Sequence, residues 1–163
     1  MDDLIEKYNK SAEEYAKSQA GTESNADLNK LKSLLNSGNK VIDVGCAAGR
    51  DTRILKDMGF EVIGVDLAEK LLEIARKNNP DIEFAVADMR DLPFENSSFY
   101  AVWASAILHH LDKSEMPQAL EEFLRVLIPG GILYIYTKVG EGRLRTQEAS
   151  VNGETRDFEL ITP

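Results

Sequence analysis

Among its 163 residues the chain has a single cysteine, Cys46. No intrachain disulfide can form, and the cytoplasm is the default compartment for such a chain. Long apolar runs are missing as well: nothing approaches the roughly 20 residues that a bilayer-spanning helix needs. The opening MDDLIEKYNK has neither a basic start nor an apolar stretch, so it does not read as a signal peptide. Metal-type Cys/His clusters, internal repeats and low-complexity tracts are absent from the sequence. Positive charge is in deficit, with 19 Lys and Arg against 28 Asp and Glu, a formal net charge of −9. That balance repels phosphate backbones at long range and argues against a nucleic-acid partner. Lys138, Arg143, Arg145 and Arg156 gather late in the chain, but Glu141, Glu148 and Glu154 lie among them, and the segment reads as solvated surface.

What is present suffices for one soluble domain with a genuine core. Leu4, Tyr8, Ala12 and Tyr15 recur at helical spacing and predict an amphipathic N-terminal helix. SQAGTESNAD is a polar connector; Leu28, Leu31, Leu34 and Leu35 mark a second helix with Gly38 as its stop. The pattern then alternates. A strand over 41–44 precedes a helix over 51–58, which stops at Gly59. The strand EVIGVD precedes a helix with Leu71, Leu72 and Ala75 on one face. The strand IEFAVAD runs into the turn-rich MRDLPFENSS, and FYAVWAS is the fourth strand. A long helix carrying Met116, Leu120, Phe123, Leu124 and Leu127 on one face ends at PGG, before the strand ILYIYTK. Alternation with short joints implies crossover connections and a parallel sheet, and nearly continuous apolar strands imply cover on both faces. The expected fold is α/β, a doubly wound, Rossmann-like, mostly parallel sheet with helices on both faces, preceded by N-terminal helices. Residues 1–38 would form those helices as a cap over the site, 39–138 the binding core, and 139–163 a tail. Ligands in such sheets sit beyond the carboxyl ends of the strands.

The first of those ends is VIDVGCAAGR. A dinucleotide turn follows G-x-G-x-x-G; aligned on Gly45, this chain offers Ala47 and Arg50 at the other two positions, and the Gly-Lys-Ser/Thr ending of a phosphate loop is missing. The pattern is D-x-G-x-A-x-G, with Asp43, Gly45, Ala47 and Gly49. A carboxylate there sits badly beside a pyrophosphate and suits a cationic ammonium or sulfonium. Asp66, at the end of the second strand, can accept from ribose hydroxyls, or else cap the next helix. Asp88, after the third, can accept from an adenine amine, or else be a loop carboxylate. Asp43 can equally be satisfied by backbone amides. Together the three fit an adenosine that carries positive charge and no phosphate.

VIDVGCAAGRDTRIL, EVIGVDLAEKLLEIAR, ADMRDLPFENSSFYAVWASAILHHL and RVLIPGGILYIYTK, in this order and spacing, resemble the successive motifs of class I S-adenosylmethionine-dependent methyltransferases. The resemblance covers roughly Tyr8 to Lys138. It implies S-adenosylmethionine as cofactor and S-adenosylhomocysteine as product. Gly45, Cys46, Ala47 and Gly49 would pass under the methionine and ribose, with Asp43 near the amino group. Asp66 would hold the ribose, with Leu67 near the adenine; Asp88 would meet the adenine amine, with Met89 beside the ring. Ala104 and Ser105 would lie near the transferred methyl. Tyr8 and Tyr15 would close over the cofactor as part of a lid, core packing being the alternative, and Arg50 would position the cofactor carboxylate or lie in solvent. Cys46 reads as a small packing residue and not a nucleophile. Trp103, alternating with Val102, reads as core.

Methyl transfer from a sulfonium expels a good neutral leaving group, so alignment can supply much of the acceleration, and a base is needed only where the acceptor must lose a proton. His109 and His110 are the candidates, with a structural role for either as the alternative reading. The acceptor is expected to be a small molecule, without nucleic acid or membrane as partner. A cofactor-binding module without catalysis is the second reading; the failed fingerprint disfavours a nicotinamide-dependent dehydrogenase. The family sheet has seven strands and five are clear here, with TRDFELI as a short further strand after the turn VNGE. A chain shortened by truncation is preferred over a natural minimal form, and an open edge on the fifth strand would favour a homodimer.

Overall fold

A computed structural model describes residues 2–19, 25–147 and 155–161. Two short helices open it, α1 (Asp2–Lys10) and α2 (Ala12–Gln19), followed by α3 (Asn25–Leu34). The single N-terminal helix expected from the periodicity is thus two, joined at Ser11. The joint is tight, since Ser11 N–H donates to the Lys7 carbonyl and Tyr15 N–H to that of Ser11, so the Leu4–Tyr8–Ala12–Tyr15 stripe still faces one way. The central part alternates as predicted: β1 (Lys40–Val44), α4 (Arg50–Asp57), β2 (Glu61–Asp66), α5 (Glu69–Asn78), β3 (Glu83–Val86), β4 (Phe99–Ser105), a 3₁₀ turn over Leu108–His110, α6 (Met116–Val126) and β5 (Leu127–Tyr136).

The five strands form one parallel sheet in the order β3-β2-β1-β4-β5. The order reverses at β1, so the loops after β1 and β4 diverge and leave a crevice at the carboxyl ends. One face is covered by α3, α4 and α5, which bury Leu28, Leu31, Leu55, Leu72 and Ala75 against Val41, Val62 and Trp103. The other face is covered by α6 and the 89–94 loop, with Met116, Ala119 and Phe123 on Ile42, Val102 and Leu127. The polar side of α6 holds that loop: Glu122 accepts from Leu92 N–H at 2.8 Å, and Arg125 donates to the carbonyls of Leu92 and Phe94 at 2.8 and 2.7 Å.

Several local expectations need correction. Leu34 and Leu124 are 58% and 62% exposed, so neither helix buries the full face drawn for it. Leu127 opens β5 instead of closing the helix, and Pro129-Gly130-Gly131 lies inside that strand as a register shift between the Phe99–Leu127 and Ala101–Ile132 pairs. The third strand is shorter than IEFAVAD, because Asp88 leaves the ladder for the turn at Asp91. TRDFELI does supply a strand, β7 (Thr155–Glu159), and it pairs antiparallel with one the sequence did not announce, β6 (Arg143–Gln147). VNGE lies outside the described residues. The hairpin forms its own sheet, so β5 has a neighbour on one side only among the named strands. No described helix is long and apolar enough to cross a membrane.

Candidate functional site

A cavity of about 460 Å³ lies where the topology puts the crevice, at the carboxyl ends of β1, β2 and β4, roofed by α1 and α2. Its floor is the turn after β1. Gly45 N–H and Cys46 N–H both donate to the Val65 carbonyl, at 2.8 and 3.0 Å, which ties the turn to β2. Gly45 and Gly49 have φ of +75° and +82°, a region that strains other residues. A Cβ on Gly45 would lie 2.6 Å from Ile107, and one on Gly49 would lie 2.9 Å from Phe84. At Gly45 the backbone therefore passes beneath the cavity with no side chain in between, and at Gly49 the missing side chain lets the turn pack on Phe84. Ala47, between them, also has positive φ, +48°; such strain gathers where a turn is fixed by its surroundings.

Asp66 supplies part of that fixing. Its two carboxylate oxygens accept from Ala47 N–H at 2.9 Å and Ala68 N–H at 2.8 Å, joining the glycine turn to the start of α5. The N-cap of α5 is Ala68, with no side-chain cap bond, so Asp66 braces the residue ahead of the helix instead of capping it, and it lines the cavity. Burial of the carboxylate pushes its pKa up, and the N–H donors of Ala68, Ala47 and Leu67 pull against that rise.

Asp43 is 2% exposed and accepts from the Thr52 hydroxyl at 2.5 Å. Burial, then repulsion from Asp51, pushes its carboxyl up to about 8, while Thr52 and Arg50 work in the other direction. Asp51 is itself buried, with one oxygen taken by Arg50 Nε at 2.7 Å and the other by Trp103 Nε1 at 3.0 Å. Trp103 is fully buried, as expected of core, and stacks on Tyr134 at 3.7 Å between centroids. Arg50 also reaches the roof, donating to Gln19 Oε1 at 3.1 Å.

Asp43, Gly45, Cys46, Ala47, Gly49, Arg50, Asp66, Leu67, Met89, Ser105, Tyr8, Tyr15 and His110 all line this one cavity. Ala104 is fully buried in the core beneath it and is not part of its wall. Asp88 is not in the wall either: Arg90 binds it through Nε at 2.9 and 3.1 Å, through a second nitrogen at 2.5 Å and through its own N–H at 2.9 Å. Those bonds hold the Asp88 carboxyl below its ordinary range, and the same guanidinium also pairs with Glu115. The D-x-R spacing was the available signal for this pairing. His109 is 2% exposed and stands behind the wall, 3.3 Å from the Thr137 hydroxyl and packed on Phe158. His110 faces the cavity, with Nε2 3.2 Å from the Tyr8 hydroxyl. Leu4, Ile5 and Ile107 also line the wall; of these the sequence marked only Leu4, as part of a helical stripe and not as a site residue. Among the described residues no group of His, Cys, Asp and Glu is arranged to hold a metal.

Comparison with known proteins agrees with this architecture. A protein-family model described as a methyltransferase domain matches residues 41–131. The chain is 36% identical over 98 residues to a demethylmenaquinone methyltransferase of Renibacterium salmoninarum, covering 60% of this chain and 40% of that protein. It is 34% identical over 109 residues to a human protein described as probable tRNA methyltransferase 9B, covering 66% of this chain and 23% of that one. The match therefore spans well under half the length of these curated relatives. In fold it resembles a Methanosarcina mazei protein described among S-adenosylmethionine-dependent methyltransferases, with TM-score 0.71 at 22% identity, covering 82% of this chain and 77% of that one.

Proposed function

The chain belongs to the class I S-adenosylmethionine-dependent methyltransferase family, and from that premise we propose that its cavity binds S-adenosylmethionine and passes the methyl group to a small acceptor, leaving S-adenosylhomocysteine. The observation that carries the reading is one cavity bounded by a turn of small residues from Gly45 to Gly49, a buried Asp43 and the strand-end Asp66. When bound, the cofactor supplies an electrophilic methyl on a positively charged sulfur.

The chain's own residues supply the rest. Asp43 offers a carboxylate to the cationic methionine end; burial and the neighbouring Asp51 raise its pKa, and a cation beside it favours its charged form. Each Asp66 oxygen has acceptor capacity beyond its backbone bond, and ribose hydroxyls are the donors that fit. Leu67 and Met89 offer apolar flanks for an adenine. Arg50 offers a cation to the cofactor carboxylate, in exchange for its contact with Gln19. Tyr8 and Tyr15, 5.1 Å apart edge to face on the roof, shield the reaction from water. Asp88 belongs to the site only if Arg90 releases it.

A small acceptor is favoured by the roofed cavity and by the net charge of −9, which disfavours the polyanion named in the human relative's description. Calorimetric titration with S-adenosylhomocysteine and, separately, with oxidised nicotinamide dinucleotide tests the reading. Micromolar binding of the first and none of the second is expected. The reverse would overturn it. A non-catalytic cofactor-binding module, the second reading, binds alike but turns over no acceptor, and an acceptor screen separates the two.

A further inference from the structure

In the cavity wall after β4, a phenol and an imidazole face each other: the Tyr8 hydroxyl lies 3.2 Å from His110 Nε2. Leu4, Ile5 and Ile107 line the same cavity with apolar surface, and Ser105 adds a hydroxyl to it. With the phenol donating, Nε2 is the acceptor and the ring proton sits on Nδ1. The chain has thus placed a phenol of its own against this nitrogen.

We propose that His110 takes the proton of the methyl acceptor, that the acceptor is a hydroxylated aromatic molecule, and that its hydroxyl replaces the Tyr8 hydroxyl on His110 Nε2. The inference rests on the methyltransferase reading above. Three physical considerations select this class. A phenol, with a pKa of about 10, is within reach of an imidazole near 6.5. An aliphatic alcohol, close in acidity to water at roughly 16, is not. An alkylammonium would bring a second positive charge beside the sulfonium, where the pair of Tyr8 and His110 offers it no carboxylate.

In the step, the acceptor O–H bond breaks and its proton passes to Nε2, making an imidazolium. The electron pair left on oxygen forms the new O–CH₃ bond. The C–S bond breaks with its pair going to sulfur, which becomes a neutral thioether. The imidazolium later returns its proton to water.

His109 has a different part. It is buried between Thr137 and Phe158, 4.7 Å from the His110 ring, and positions that ring from behind. Phe158, 1% exposed on β7, packs against both imidazoles and carries the Lys138 ammonium 3.6 Å from its centroid. Among the described residues, the titratable and charged groups around His110 include Tyr8 on α1, His109 on its own turn and Lys138 over the Phe158 ring. Further out, Lys113, ahead of α6, and Arg143, on β6, pair with Glu159 on β7, and Arg143 also pairs with Asp112.

The test uses the whole chain saturated with S-adenosylhomocysteine, with 4-nitrophenol as the probe. At about pH 6, where free probe is largely protonated and a histidine can still take up a proton, bound probe should show the yellow phenolate band. Its apparent pKa should fall by about one unit or more. Tyr8→Phe, which keeps the ring and vacates Nε2, should bind the probe several-fold more tightly and keep the shift. His110→Gln should still bind S-adenosylhomocysteine and lose the shift. In the wild type, the His110 ring nitrogens followed by NMR should move to imidazolium values as probe is added, a readout that does not depend on the variant folding. A shift that survives in His110→Gln, or a wild type that binds S-adenosylhomocysteine but shows neither phenolate nor imidazolium, overturns the proposal and leaves the cofactor reading standing. Failure to bind S-adenosylhomocysteine, seen first by calorimetry, overturns both.

Discussion

The two ends of the cavity are built differently. The end around Asp43, Gly45 and Asp66 stands on the parallel sheet, where backbone bonds from Gly45, Cys46 and Ala47 lock the turn to β2. The end around His110 is assembled from pieces far apart in sequence: Tyr8 on α1, the 3₁₀ turn after β4, and Phe158 on β7. A scaffold shared by a family holds the first, and the second is free to vary around it, as expected when fold and specificity are separable. Damage at the first end should cost stability and cofactor binding together. Damage at the second should change the acceptor and leave the fold nearly untouched.

Breaking the first end at the turn should give the largest effect. Gly45→Val puts a branched side chain into Ile107 at positive φ, costing about 1–2 kcal/mol for the backbone and about 1–3 kcal/mol for the overpacking. Denaturant unfolding should register that loss, and calorimetry should find no S-adenosylhomocysteine binding. Asp66→Ala comes next. It leaves the Ala47 and Ala68 N–H groups without their acceptor, at about 1–3 kcal/mol, and should weaken S-adenosylhomocysteine binding by more than about tenfold, which corresponds to 1.4 kcal/mol.

The pH profile sharpens the comparison further. Because the folded pKa of Asp43 lies near 8, above its ordinary 3.8, the empty protein is favoured by the protonated form. The contribution is full below about 3.8 and is lost as pH rises through about 8. Urea midpoints of the empty wild type should therefore decline across that window, and the decline should be smaller in Asp43→Asn. The smallest effect is expected from Asp88→Ala. With its carboxylate held by Arg90 outside the wall, the substitution should change S-adenosylhomocysteine affinity by less than about fivefold, the scale of a part-exposed ion pair. A loss as large as that of Asp66→Ala would mean that Arg90 releases Asp88 on binding.

The same contrast explains what could be read without coordinates. β1, β2 and β4 and the glycine turn are legible because each is local: a short apolar run, a break, and an acid at a fixed place. From Asp43 to Met89, the residues named in the sequence converge on one cavity, with Asp88 turned aside. His110 was named, but its difference from His109 depends on which ring faces Tyr8 and which faces Thr137, contacts that span 102 and 28 residues. Leu4, Ile5 and Ile107 carry no chemical signature, and an apolar residue on a cavity wall looks in sequence like one in a core. β6, with its Arg143 and Arg145, lacks an apolar alternation and acquires its strand only by pairing with β7. Pro129-Gly130-Gly131 reads as a terminator, yet its backbone continues the strand through a register shift.

Hydrogen–deuterium exchange with and without S-adenosylhomocysteine tests the central claim most directly. Protection is predicted along the turn from Asp43 to Arg50, at Asp66–Ala68, and across α1 and α2 as the roof closes. Protection confined to the hairpin or to α6, with the turn after β1 unchanged at saturating ligand, would contradict it.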